Sequence, residues 1–195
     1  MAGDGKLSMT GQLQEIMRES VQTAVAYIRS RAESFEIAPE FFEKHDVHVH
    51  VPEGAVPKDG PSAGITLATA IVSVLTGQRV RKDVAMTGEI TLRGHVLPIG
   101  GLKEKVLAAY RNGIKTIIIP AENDKDLFEI PDEIRENICF HKAKDFTEVL
   151  RLALKDVQTT EVDENPGGEV AEVLEDLALR TPDALGQVPT TEPNR

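Results

Sequence analysis

Pro57-Lys58-Asp59-Gly60-Pro61-Ser62-Ala63-Gly64 runs into a largely apolar stretch, 65–75, that stops before Gly77. This reads as a constrained turn feeding a helix over 62–75. Gly60 can take backbone angles closed to other residues. Pro61 fixes its own φ and suits the first turn of a helix. Ala63 and Gly64 carry almost no side chain, so another backbone could approach closely. Ser62 therefore reads in three ways. It is a preferred helix N-cap residue. It is also placed as a nucleophile beside free helix N–H groups that could stabilise an oxyanion. A phosphate cradle is the third reading. Pro61 counts against that one, because it removes a backbone donor.

Upstream, Asp46-Val-His-Val-His-Val51 alternates strictly and reads as a strand, with valines on one face and His48 and His50 on the other. Residues 52–61 carry three prolines and two glycines, and so form a loop. Further back, apolar residues at Leu13, Ile16, Met17, Val21, Ala24, Val25 and Ile28 form a helical stripe over 12–32, with Thr10 as its expected cap. Downstream, strands are expected at 84–87, 115–119 and 137–141. A hairpin broken by Gly94 is expected over 89–98, and helices over 100–113, 123–128, 131–136 and 145–154. This alternation predicts an α/β or α+β domain with helices on at least one sheet face.

A serine nucleophile needs a base. Gly100-Gly-Leu-Lys-Glu-Lys-Val-Leu-Ala-Ala-Tyr-Arg111 offers two lysines. Leu102, Lys105, Val106 and Ala109 follow the i, i+3, i+4, i+7 spacing, so Lys105 is expected on the apolar face, pointing inward. Lys103 lies about 100° round the helix and reaches water. Apolar surroundings disfavour an ammonium, and a neutral amine can take a hydroxyl proton. Alternatively, Lys105 lays its stem along the core edge and keeps its charge wet.

The 195-residue chain is 41% hydrophobic, enough for a core. It has no run of about 18 apolar residues, so no membrane span is expected, and no basic patch with interleaved aromatics that would suit nucleic acid. Its one cysteine, Cys139, is expected to be small and buried, and excludes an internal disulfide. His48 and His50 have no evident third partner for a metal, so none is expected; a Ser-His pairing through either is a minor alternative. Asp59 reads locally as a turn carboxylate. The net charge of −10 is concentrated late: residues 161–195 hold nine acids and two bases. That segment, with four prolines, marks 158–195 as a flexible tail with a short helix at 169–179.

Taken together, these stretches resemble the S16 peptidase, or Lon protease, family. The match falls on Pro57 to Gly64, on Gly100-Gly-Leu-Lys-Glu-Lys105, on Ala85-Met-Thr-Gly-Glu-Ile-Thr-Leu-Arg-Gly94 and on His48-Val-His-Val-Pro-Glu-Gly54, in that family's order and spacing. The resemblance is to the proteolytic domain of bacterial A-type members, over roughly 3–155. It implies a serine endopeptidase with a Ser62–Lys105 dyad, Thr87 orienting the lysine and Asp59 governing the serine loop. Gly60, Pro61, Ala63, His50 and Glu53 would be neighbours of the site. It implies a fold like ribosomal protein S5 domain 2 over 1–157, with small mixed sheets and packed helices. It further implies a cytoplasmic, hexameric, ATP-dependent protease that degrades damaged, misfolded and regulatory proteins. ATP and magnesium would belong to a separate ATPase module. No Gly-x4-Gly-Lys-Ser/Thr loop occurs in this chain, which reads as an excised domain without its own cofactor. Two other readings are a catalytically silent ring scaffold and a phosphoryl-transfer enzyme.

Overall fold

The computed structural model describes residues 2–38 and 40–155. In chain order the elements are β1 (Leu7–Thr10), α1 (Glu15–Ser30), α2 (Phe41–Lys44), β2 (Val47–His50), α3 (Gly64–Thr76), β3 (Val84–Met86), β4 (Glu89–Ile90) and β5 (Val96–Leu97). There follow α4 (Leu102–Arg111), β6 (Thr116–Pro120), α5 (Asp132–Glu136), β7 (Cys139–Ala143) and α6 (Phe146–Ala153). Two 3-10 segments, Ala32–Phe35 and Ala121–Glu129, complete the set.

The strands make three small sheets: a parallel β1–β2 pair, a parallel β3–β6–β7 sheet and an antiparallel β4–β5 hairpin. β6 is central, and all five of its residues are buried. A strand covered on both faces needs apolar side chains in succession, not alternation. Ile118 joins the larger core with Val21, Ile28, Ile65, Val72, Phe146 and Val149. Ile117 and Ile119 join a second core with Leu102, Val106, Ile130 and Ile138. Helices α1, α3 and α6 supply one cover and α4 the other, giving a mixed α/β domain.

The helix stripes explain the packing. Met17, Val21, Ala24 and Ile28 are buried along one side of α1. Asp145 caps α6 by accepting from the Glu148 N–H at 3.1 Å, and the Glu148 carboxylate accepts from Lys144 N–H at 2.7 Å. Gly77 ends α3 in a left-handed conformation, φ 72°.

Three expectations need correction. Thr10 does not cap α1; it ends β1, a strand too short and too close to glycine to stand out, paired residue for residue with β2. The cap position is Gln14, whose side chain makes no capping bond. The helix after the serine begins at Gly64, not Ser62. Cys139 is exposed, because it lies on the edge strand of its sheet and faces outward. The tail expected over 158–195 and the short helix expected at 169–179 lie outside the described residues.

β1 is held in part by Asp46, whose carboxylate accepts from the N–H groups of Lys6 at 2.8 Å and Asp4 at 3.0 Å. The Lys6 bond chiefly, helped by that of Asp4, holds this carboxyl below the usual range, against partial desolvation. A folded value below the unfolded one gives stability that is present above the unfolded pKa, about 4, and is lost as pH falls through the folded value. Asp83 behaves alike through its bond to Arg81. Thermal melts between pH 5 and 2.5 should therefore show wild-type Tm falling more steeply than that of Asp46→Asn. Parallel curves would remove Asp46 from this account.

Candidate active site

The loop over 52–61 brings Ser62 to the C-terminal end of β3, where ligand sites form in parallel sheets. Asp59 Oδ1 accepts from the Gly60 N–H at 2.8 Å and from the Met17 N–H at 3.0 Å. The second bond supplies the cap that Gln14 does not give α1. Buried Ser20 donates its hydroxyl to Pro61 O at 3.4 Å. Gly60, at φ 99°, makes the bend that only glycine tolerates well.

Ser62 is held by its main chain. Its carbonyl accepts from the Gly88 N–H at 2.9 Å and from the Thr87 hydroxyl at 3.1 Å. Gly88 O in turn accepts from the Ile65 N–H at 3.1 Å, so 87–88 and the start of α3 interlock. This explains Gly64: a Cβ there would sit 2.8 Å from the Ile90 main-chain nitrogen. Among the described residues, Ser62 Oγ and the N–H groups of Ser62 and Ala63 make no hydrogen bond to protein. Ser62 is thus not a side-chain cap, because the cap position falls to Ala63.

Ser62, Ala63, Thr87 and Lys105 line one cavity of about 240 Å³, whose other walls include Met86, Leu102, Val106 and Ile117. Lys103 does not line it. Helix phase therefore selects the right lysine face, but not its depth. Lys105 is exposed, whereas Leu102 and Val106 are buried. It flanks the apolar stripe of α4 instead of lying within it, while still lining the cavity. No hydrogen bond joins Ser62 Oγ and Lys105 Nζ among the described residues, and the buried Thr87 hydroxyl points to Ser62 O.

His50 and Glu53 do not line the cavity. The rings of His48 and His50 lie over the exposed face of the β1–β2 pair, bonded to Ser8 and Thr10 at 2.8–3.0 Å. Among the described residues, no group of three or more His, Cys, Asp or Glu side chains is arranged to hold a metal. Sequence reasoning passed over Lys58, Gly88 and Asn123. Gly88 stands directly after Thr87 in a quoted stretch, which was the one available signal. Asn123 is 1% exposed. Its amide accepts from the Ile99 N–H at 3.0 Å, and donates to Ile99 O at 2.9 Å and to Asp126 at 2.6 Å. That clamp precedes Gly101, the left-handed residue (φ 67°) from which α4 and Lys105 start.

A serine hydroxyl, two unengaged main-chain N–H groups and a lysine around one apolar cavity are the parts of a serine hydrolase. The chain belongs to the Lon protease (S16) C-terminal proteolytic domain family, whose model matches residues 1–156. It is 63% identical over 153 residues to the Lon protease of Escherichia coli K12, 62% over 154 to that of Brevibacillus choshinensis, and 60% over 152 to Lon protease 1 of Bacillus subtilis 168. These alignments cover 78%, 79% and 78% of this chain and 20% of each relative. The chain thus spans about a fifth of the length of the relatives it matches.

Proposed function

We propose that this domain hydrolyses peptide bonds with Ser62 as nucleophile and Lys105 as general base. The supporting observation is that both side chains line one cavity, with the Ser62 main chain fixed by Thr87 and Gly88. Lys105 Nζ reaches the Ser62 hydroxyl and takes its proton as Oγ bonds to the carbonyl carbon. The N–H groups of Ser62 and Ala63 stabilise the oxyanion. Collapse breaks the C–N bond, and the departing amine takes the proton from Lys105. Water, deprotonated by Lys105, then releases the acyl group and restores Ser62. Thr87 keeps lone pairs free to accept from the Lys105 ammonium while donating to Ser62 O. Asp59 holds the loop that presents the serine.

The apolar walls suit an apolar side chain next to the scissile bond. We further propose the ribosomal protein S5 domain 2-like fold for the proteolytic domain, and a cytoplasmic location and a hexameric ring for the longer protein. In that protein, ATP and magnesium would act on a separate module during degradation of damaged, misfolded and regulatory proteins. This chain does not fit a nucleotide triphosphate itself. It lacks a Gly-x4-Gly-Lys-Ser/Thr loop, and Pro61 removes a donor where a phosphate would sit.

Fluorogenic peptides offered to the 195-residue chain without nucleotide test the reading. Slow hydrolysis, faster after Leu or Met than after Asp, is expected. No turnover above the Ser62→Ala background would overturn it.

A further inference from the structure

We infer that Lys58 is a positioning residue for Ser62, acting as a built-in cation that gathers three main-chain carbonyls and so fixes the shape of the serine loop. The inference rests on the peptidase reading only for its kinetic consequence. Lys58 Nζ donates to Glu53 O at 2.7 Å, Val56 O at 3.0 Å and Gly11 O at 3.2 Å. An ammonium has three N–H donors and no acceptor, so each donor here has a partner. The carbonyls come from separate places: the link between β1 and α1, the far limb of the loop, and its near limb. Glu53 adopts a left-handed backbone at φ 63°, which a non-glycine residue keeps only where its surroundings compensate. The shortest of the three bonds falls on its carbonyl.

The Lys58 main chain adds two bonds, donating to Gln12 O at 3.0 Å and accepting from the Gln14 N–H at 2.8 Å. Asp59 follows at once with its bond to Met17. Lys58 and Asp59 thus nail the base of the loop to the start of α1, four and three residues before the nucleophile. The same saturation takes Lys58 out of the chemistry. With all three donors committed to carbonyls, Lys58 Nζ is held inside the loop and is not directed to Ser62. The lysine nearer in sequence is the strut, and Lys105 is the one left available.

Three carbonyl oxygens that converge on a missing ammonium form a vacancy for a small cation bearing N–H groups. Lys58→Ala removes a propylammonium-sized piece. In the 195-residue chain, this variant should raise amide exchange in 52–61 by at least about tenfold, leaving β6 and α6 as protected as in wild type. It should lower kcat for peptides about tenfold or more with KM within about twofold, the pattern of lost positioning. Millimolar propylammonium should restore both loop protection and kcat. Tetramethylammonium, charged but without N–H groups, should restore neither. Wild-type loop exchange in Lys58→Ala, or equal rescue by both cations, overturns the inference. Loss of protection in β6 as well would mean a general fold defect and also overturn it. If wild-type peptidase activity is absent or survives in Ser62→Ala, the peptidase reading fails, and loop exchange with its rescue still decides Lys58.

Discussion

Ser62→Ala should reduce peptide hydrolysis by about 10⁴-fold or more, and Lys105→Ala by a similar factor. The serine supplies the bond-forming oxygen, and no other hydroxyl in the cavity has its main chain locked beside two unengaged N–H groups. Thr66 and Thr87 also line it, but Thr87 commits its proton to Ser62 O and Thr66 commits its proton to Met86 O. Lys105 is the one base of sufficient strength among the lining residues. The double variant should be scarcely worse than either single one, since residues acting as a unit are not additive. Lys103→Ala serves as control and should stay within about twofold of wild type, because it points away from the cavity. Full activity in either single variant would sink the dyad. Circular dichroism and Tm should be nearly unchanged in all three, since the three side chains are at least partly exposed and bond to no protein group among the described residues.

The largest stability effect near the site is expected at Asn123. Truncation to alanine leaves the Ile99 N–H and C=O without partners in a partly buried setting, at about 1–3 kcal/mol for each unsatisfied group. A total loss of about 3 kcal/mol should move the urea midpoint down with little change in slope. Activity should fall too, below the denaturation range, because the freed Gly100–Gly101 link lets α4 and Lys105 shift. Neighbouring Lys125→Ala should be silent on both counts. A midpoint change below about 0.5 kcal/mol for Asn123→Ala would mean that water replaces the clamp fully.

These two sites differ in how far the residues announced them. Ser62 and Lys105 sit in local patterns with a mechanical meaning: a glycine-proline turn and a helix phase. The alternation of 47–50, the apolar run of β6 and the helix after Asp145 were legible for the same reason, since each depends on neighbours in sequence. Asn123 was not legible. In Glu-Asn-Asp-Lys it looks like a solvated residue, and only the fold brings Ile99 against it. Lys105 shows where local reasoning stops. A helical period tells which side chains share a face, but depth depends on what lies opposite, and here that is an open cavity. Cys139 failed similarly: an apolar run suggests burial, yet β7 is an edge strand with one face outward. Lys58 was overlooked because a lysine in a loop reads as solvent-facing, and its three acceptors come from 2, 5 and 47 residues away.

β6 divides its three isoleucines between two cores, Ile118 on one side and Ile117 and Ile119 on the other. Neither core therefore owns its wall. If α4 and the 3-10 segment peel away, the strand they uncover is the same one that backs α1, α3 and α6. The half of the domain carrying the lysine and the half carrying the serine loop thus share one wall. They should melt in one transition, so the reacting groups are never presented by a half-folded chain.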